Sequence, residues 1–367
     1  MMNYFDYSAT TPISDRVNEV MQRCEREFFA NTNAKHEFAQ KSKFFVSDYI
    51  NRMAQALNIA QQSLIFTSGA TESNNMILFG LAKKYPHKRH ILTTSLEHHS
   101  IISPCGHLQK DGYDIEFIPY INGEIDLEKL KTKFRQDTLL VSVMAVESET
   151  GMVHPLKKIK AICDEHNVPL HSDMTQAIGK IEVDFRDVTY ASFSSHKIYG
   201  PKGIGACIIQ KQDIKPLILG GRSLSKLRAG TPPNALIVGF AQALLDSLEY
   251  LNEHQSIVSH RYESLLDQLS SLSQIHFNQP KIGVKHICNL SIKNLRREYS
   301  VEKLSRYNCY ASGSSACSGQ EELSKSVFCI TQDQEHASTS LRISLSHKTT
   351  QEEIDSLVDA IKKVINE

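Results

Sequence analysis

Lys197 lies in the run Ser192-Phe193-Ser194-Ser195-His196-Lys197-Ile198-Tyr199-Gly200-Pro201-Lys202-Gly203-Ile204-Gly205, where a short β-rich stretch meets a Gly/Pro turn. A lysine held there on a rigid element and partly desolvated could form a Schiff base with a carbonyl group. A solvated loop lysine would fit the same run. A phosphate cradle for a nucleotide is excluded by the lack of a G-x-x-x-x-G-K-[ST] behind a strand. One strand-loop-strand unit earlier, Val168-Pro169-Leu170-His171-Ser172-Asp173-Met174-Thr175-Gln176 reads as a buried strand ending in an aspartate. A carboxylate there could keep a ring nitrogen protonated, which makes the ring an electron sink, as in pyridoxal-phosphate (PLP) chemistry. A helix N-cap is the plainer reading of Asp173. In an open parallel sheet the carboxyl ends of the strands line one crevice, so Asp173 and Lys197 could face a common ligand.

Three further runs add chemistry. In Ile65-Phe66-Thr67-Ser68-Gly69-Ala70-Thr71-Glu72-Ser73-Asn74-Asn75 a strand feeds a small-residue turn and then a helix, whose free N–H groups and positive dipole end suit an anion. Ser68 and Thr71 are candidate caps of that helix, and capping is compatible with phosphate binding. His98, in Leu96-Glu97-His98-His99-Ser100, follows a strand; it could stack on an aromatic cofactor and relay protons, or be an ordinary histidine. The run Ala311-Ser312-Gly313-Ser314-Ser315-Ala316-Cys317-Ser318-Gly319-Gln320 packs poorly as a core element and reads as a mobile loop carrying one thiol, either a nucleophile or a resting cysteine. Cys207, flanked by Ala206 and Ile208, reads as inertly buried.

The elements that must position these groups follow from periodicity. Strands are expected at 63–67, 90–95, 115–119, 139–146, 169–172, 190–194 and 205–210, alternating with helix-period stretches such as Leu156, Ile159, Ile162 and Cys163. That alternation predicts an α/β fold with a mainly parallel sheet. A helix from about Asn234 to Leu251 precedes a change in character, which sets the domain boundary near residue 255. Beyond it, strands at 286–291 and 341–346 and a docked helix at 351–366 predict a smaller α+β domain.

At 367 residues two cores are expected. Lys plus Arg balances Asp plus Glu, 41 against 41, so no global field would hold the chain on nucleic acid or an anionic membrane. Neither a membrane-spanning apolar run nor a basic n-region followed by an apolar stretch is present, which predicts a cytoplasmic protein without direct nucleic-acid or membrane partners. The eight cysteines contain no C-x-x-C pair, against a disulfide framework and a clustered zinc site.

Taken in order, the runs resemble the NifS/IscS-type cysteine desulfurases among the fold-type-I PLP enzymes of the class V aminotransferase group. The resemblance spans nearly the whole chain, from Tyr4-Phe5-Asp6-Tyr7-Ser8-Ala9-Thr10-Thr11-Pro12 through the runs above to Arg228-Ala229-Gly230-Thr231 and Ser315-Ala316-Cys317. It implies a large PLP-binding domain at 15–255 with a seven-stranded sheet, and a small domain made of 1–14 and 256–367. It also implies PLP bound through Lys197, Asp173 on the ring nitrogen, His98 stacked on the ring, and Gln176 at its phenolic oxygen. Ala70, Thr71, Ser194 and His196 would hold the phosphate, with Thr231 donated by the second subunit of a homodimer. Arg342 and Asn31 would bind the carboxylate of L-cysteine. Cys317 would leave as a persulfide while alanine is released, with selenocysteine lyase or another class V PLP reaction as the alternative. The sequence given ends with the last helix at Glu367, so the expected sulfur acceptor is a cluster scaffold or a sulfurtransferase of tRNA or cofactor thiolation. This chain departs from the family pattern at Glu147-Ser148, where Ser148 replaces an amide expected at the phenolic oxygen, and at Thr32, Ser195 and Ser314.

Overall fold

The computed structural model describes residues 2–211, 213–221, 223–314 and 323–367; Cys317 lies outside the described residues. Seven strands form the central sheet in the order Leu64–Thr67, Gly205–Ile209, Tyr190–Ser194, Leu170–Asp173, Thr138–Ser142, His90–Thr93, Asp114–Phe117. Pairing is parallel from Tyr190–Ser194 to Asp114–Phe117, and Gly205–Ile209 runs against both of its neighbours. The strands read as near-continuous apolar runs because helices cover both faces. Along Gly205–Ile209, Ala206 and Ile208 join one core with Phe193, Phe240 and Leu244, while Cys207 and Ile209 join another with Ile77, Leu78, Leu81 and Tyr190. Period-two alternation thus divides one short strand between two helical layers.

A second, antiparallel sheet runs Ile275–Phe277, Ile287–Ile292, Ser340–Ser344, Ser312–Gly313. The helix Gln351–Asn366 packs there through Ile354, Leu357, Val358, Ile361 and Val364, and Thr350 and Glu353 cap it reciprocally. Asn3–Tyr4 pairs with Cys309–Tyr310 and Asp6 bridges Ser344, which ties the start of the chain to this sheet. Ser8 is thereby carried to the edge of the central sheet.

The expected elements are present with shifted ends. Regular pairing of the strand expected at 139–146 stops at Ser142, although Val143 and Ala145 still donate to the carbonyls of His171 and Asp173 at 3.0 and 2.9 Å. The helix expected to reach Leu251 ends at Glu249, and a new helix, Leu251–Leu269, contributes Val258, Tyr262, Leu265 and Leu269 to the second core. Among the described residues no helix is long and apolar enough to cross a membrane.

Candidate active site

At the carboxyl edge of the central sheet lies one cavity of about 300 Å³ lined by Lys197, Asp173, His98, Gln176, Ser148 and Arg342. Ala70, Thr71, Ser194 and His196 line it as well. The volume falls in the small-molecule range. The strand order explains the convergence, since Asp173 and Ser194 end adjacent parallel strands and Thr67 ends the strand that feeds the turn before Ala70.

Asp173 is 7% exposed and divides its carboxylate between two tasks. Oδ1 accepts from the Thr175 backbone N–H at 3.0 Å, so the capping reading of this residue is also correct. Oδ2 accepts from Asn74 Nδ2 at 2.8 Å. Asn74, fully buried, also donates to Ser100 Oγ at 2.8 Å and accepts from the Ser192 hydroxyl. Beyond Ser192 the chain continues to His171 Nε2 at 3.2 Å, and His171 Nδ1 meets Ser142 Oγ at 2.9 Å. Burial pushes the His171 pKa down to about 4, so the ring stays neutral.

His98 is the N-cap of the helix His99–Lys110, and its Nδ1 accepts from the Ser100 N–H at 3.1 Å. A backbone N–H can only donate, so the neutral ring carries its proton on Nε2. Burial lowers the His98 pKa, the nearby Asp173 charge opposes that shift, and Lys197 adds to it. The outcome is a neutral, singly protonated imidazole at the wall of the cavity.

The turn before Ala70 is built for close approach. A Cβ on Gly205 would stand 2.6 Å from Gly69 Cα, so the strand can pass this turn only as glycine. Gly69 is the N-cap of the helix Ala70–Lys84 and supplies no side-chain cap, which corrects the expectation that Ser68 or Thr71 caps it. The Ser68 N–H instead donates to Glu72 Oε2 at 2.7 Å, and Glu72 Oε1 accepts from Arg228 Nε at 3.0 Å. Burial alone would raise the Glu72 pKa; the bonds from Arg228 and Ser68 hold it below the usual value. The Ala70 N–H donates to Ser194 Oγ at 2.7 Å, so a hydroxyl proton of Ser194 remains to be offered to an anion. His196 bonds Thr10 Oγ1 at 3.1 Å, and burial followed by Lys197 takes its pKa down to about 4.

Lys197 Nζ donates to the Ser8 carbonyl, which also accepts from Gln176 Nε2 at 2.9 Å. Arg342 is 4% exposed; its Nη2 reaches Asp6 Oδ1 at 2.8 Å and its Nη1 the Ser148 carbonyl at 3.1 Å. The departure at Glu147 has a local cause: its carboxylate accepts from the N–H groups of Glu149 and Thr150 and from the Thr150 hydroxyl, each at 2.7 Å. That turn presents Ser148 to the cavity.

Two expected site residues stand apart from this cavity. Asn31 is exposed and accepts from the Asn33 N–H at 3.0 Å, a turn bond that occupies its side chain away from Arg342. Thr231 is exposed and lines no part of the cavity within the single chain. Residues given no role from the sequence, namely Asn74, Ser100, Ser192, Asp6 and Ser8, hold the assigned ones in place. Asn74 had a readable signal: it falls on the buried stripe with Ala70, Ile77, Leu78 and Leu81, where a polar residue requires partners.

The model of the class-V aminotransferases matches residues 3–357. The cysteine desulfurase IscS of Rickettsia bellii (strain OSU 85-389) is 38% identical over 373 residues, covering 99% of this chain and 91% of that protein. Among solved structures, one titled NifS-like protein superposes with a TM-score of 0.94 at 32% identity, covering all of both chains. Another, titled SspA in complex with cysteine, gives 0.83 at 30% identity over 95% of this chain and all of that one. With sequence, fold and site geometry in agreement, the chain belongs to the class-V aminotransferase family and, within it, to the NifS/IscS-type cysteine desulfurases.

Proposed function

We propose that this chain removes sulfur from L-cysteine with PLP held through Lys197, passing the sulfur to Cys317 as a persulfide and releasing alanine. The observation that carries this reading is a single cavity bounded at once by the Lys197 amine, the Asp173 carboxylate, the Arg342 guanidinium and the first turn of a helix. The residues fit the cofactor. Lys197 supplies the amine for its aldehyde, and the buried Asp173 suits its ring nitrogen. Ala70, Thr71, Ser194 and His196 suit its phosphate, and Gln176 and Ser148 its ring oxygen. When bound, the cofactor supplies an electron sink for charge developing at the substrate's α-carbon.

The chain's own groups supply the rest. The Arg342 fork orients the substrate carboxylate through paired donors, and Asp6 with the Ser148 carbonyl keeps that fork aimed. The Lys197 amine takes the α-proton, and His98, neutral with its proton on Nε2, moves a proton at the opposite wall. The Cys317 thiolate then attacks the substrate sulfur: a sulfur–sulfur bond forms as the carbon–sulfur bond breaks. The electron pair remains with carbon, which is protonated to give alanine, while the thiol is oxidised to the persulfide. The exposure of Thr231 supports its donation to the neighbouring site of a homodimer. A cytoplasmic setting, an acceptor protein of the scaffold or sulfurtransferase kind, a carboxylate contact from Asn31 in the assembled enzyme, and a division into domains 15–255 and 1–14 with 256–367 belong to the same proposal.

The test is Cys317→Ala assayed for both alanine production from cysteine and cofactor retention. Retained visible absorbance with alanine production abolished is expected. Undiminished turnover on cysteine or selenocysteine would replace the reading with a lyase that needs no protein thiol.

A further inference from the structure

Gln176 and Lys180 lie four residues apart on one helical turn, closed by the Ile178 N–H to the Met174 carbonyl and the Ile181 N–H to the Ala177 carbonyl. That spacing puts both side chains on one face, and Lys180 Nζ donates to Gln176 Oε1 at 2.7 Å. An ammonium group can only donate, so the amide must turn its oxygen toward Lys180. Independently, the other end faces the Ser8 carbonyl, which can only accept, and Nε2 donates to it at 2.9 Å. Reversing the amide would set donor against donor and acceptor against acceptor. Nε2 carries two hydrogens; one is used by Ser8, and the second is left for the cavity that Gln176 lines.

We propose that Lys180 is a positioning residue for the reaction, its ammonium group locking the Gln176 amide so that an N–H, and never the carbonyl oxygen, is offered to the cofactor's ring oxygen. This rests on the assignment of Gln176 to that oxygen. The lock favours the ionised form of the ring oxygen, because only an acceptor can meet the N–H, and the cation one amide away adds to the effect.

The surroundings of Lys180 are consistent with this task. Lys180 also borders a second cavity, of about 260 Å³, that reaches Tyr7, His254, His286 and His347 and touches Lys197. No Asp or Glu lines that cavity, so no carboxylate there draws the ammonium away from Gln176. Burial, then the charges of Lys197 and Arg342, bring the Lys180 pKa well below the ordinary value. A bound anionic ring oxygen and phosphate would offset that repulsion. The sequence hid the role because Lys180 sits beside a glycine turn, where a solvated lysine is the ordinary outcome.

The experiment loads wild type, Lys180→Met, Lys180→Arg and Gln176→Ala with PLP and reads the pH midpoint of the visible absorbance change, together with cofactor affinity by equilibrium dialysis. Removing a cation relieves its repulsion of the protonated lysine–cofactor linkage, so K180M should raise the midpoint by about one pH unit and weaken retention. K180R should restore the wild-type midpoint, which a merely structural role would not require. A K180M midpoint equal to wild type, with Q176A shifted, overturns the proposal for Lys180 alone. If Q176A also leaves midpoint and affinity unchanged, the assignment of Gln176 to the cofactor fails instead. Should K180M not fold, Lys180→Gln, which keeps a donor without the charge, carries the same test.

Discussion

Replacing Asn74 by aspartate changes one atom type and tests the buried network at its centre. Asn74 Nδ2 lies 2.8 Å from Asp173 Oδ2 with no water-exposed surface to screen it. In Asn74→Asp two carboxylates would share that contact, with charge centres about 4 Å apart. At an effective dielectric of about 20 their repulsion is about 4 kcal/mol, or about 3 pKa units. The pair therefore holds one proton to about pH 7, where an unperturbed aspartate loses it near pH 4. This folded-state pKa is raised above the unfolded value, so the sign follows directly. The variant folds without the repulsion below about pH 4, loses stability as pH rises, and carries the full penalty of about 4 kcal/mol above about pH 7. Urea unfolding of cofactor-free wild type and variant at pH 5, 6, 7 and 8 reads the widening gap. Asn74→Leu, which loses the hydrogen bonds but adds no charge, should show a gap that does not change with pH. A constant difference between Asn74→Asp and wild type across that range would refute the placement of Asn74 against Asp173.

Glu97 gives a second pH signature: its buried carboxyl accepts from the Met144 N–H and the Thr94 hydroxyl, yet burial pushes its pKa up to about 8. Its folded pKa too is raised, so wild type should lose stability, on the order of a few kcal/mol, as pH climbs from about 4.5 through about 8. Glu97→Gln should flatten the melting temperature over that window, and an unchanged slope would contradict the burial. Arg342→Lys keeps the charge and removes the fork. It should raise KM for cysteine roughly 30- to 100-fold, about 2–3 kcal/mol, with a smaller change in kcat, and steady-state kinetics would show the split.

Much of the site was readable because open parallel sheets gather chemistry at one edge: a lysine after one strand, an aspartate ending its neighbour and a histidine after a third could be inferred to converge. The layers were equally legible from apolar runs too continuous for a one-sided sheet. The second shell was not. Asn74 meets partners 26, 99 and 118 residues away, and no local pattern specifies which hydroxyls will close around an amide. The true cap at Gly69 escaped for a related reason. Serine and threonine are good caps in isolation, but here Glu72 and Ser194 satisfy the turn's donors, and the approach of Gly205 requires a residue without a side chain. Asn31 shows the converse, a residue matched by motif whose side chain in the single chain is spent on its own turn.

Borohydride reduction of the PLP-loaded protein, followed by peptide mapping, tests the central assignment most directly, since reduction fixes the cofactor to whichever amine holds it. The cofactor mass should be found on the peptide containing Lys197 and be absent from those carrying Lys180 and Lys202. Labelling of another lysine, or of none, would contradict the account.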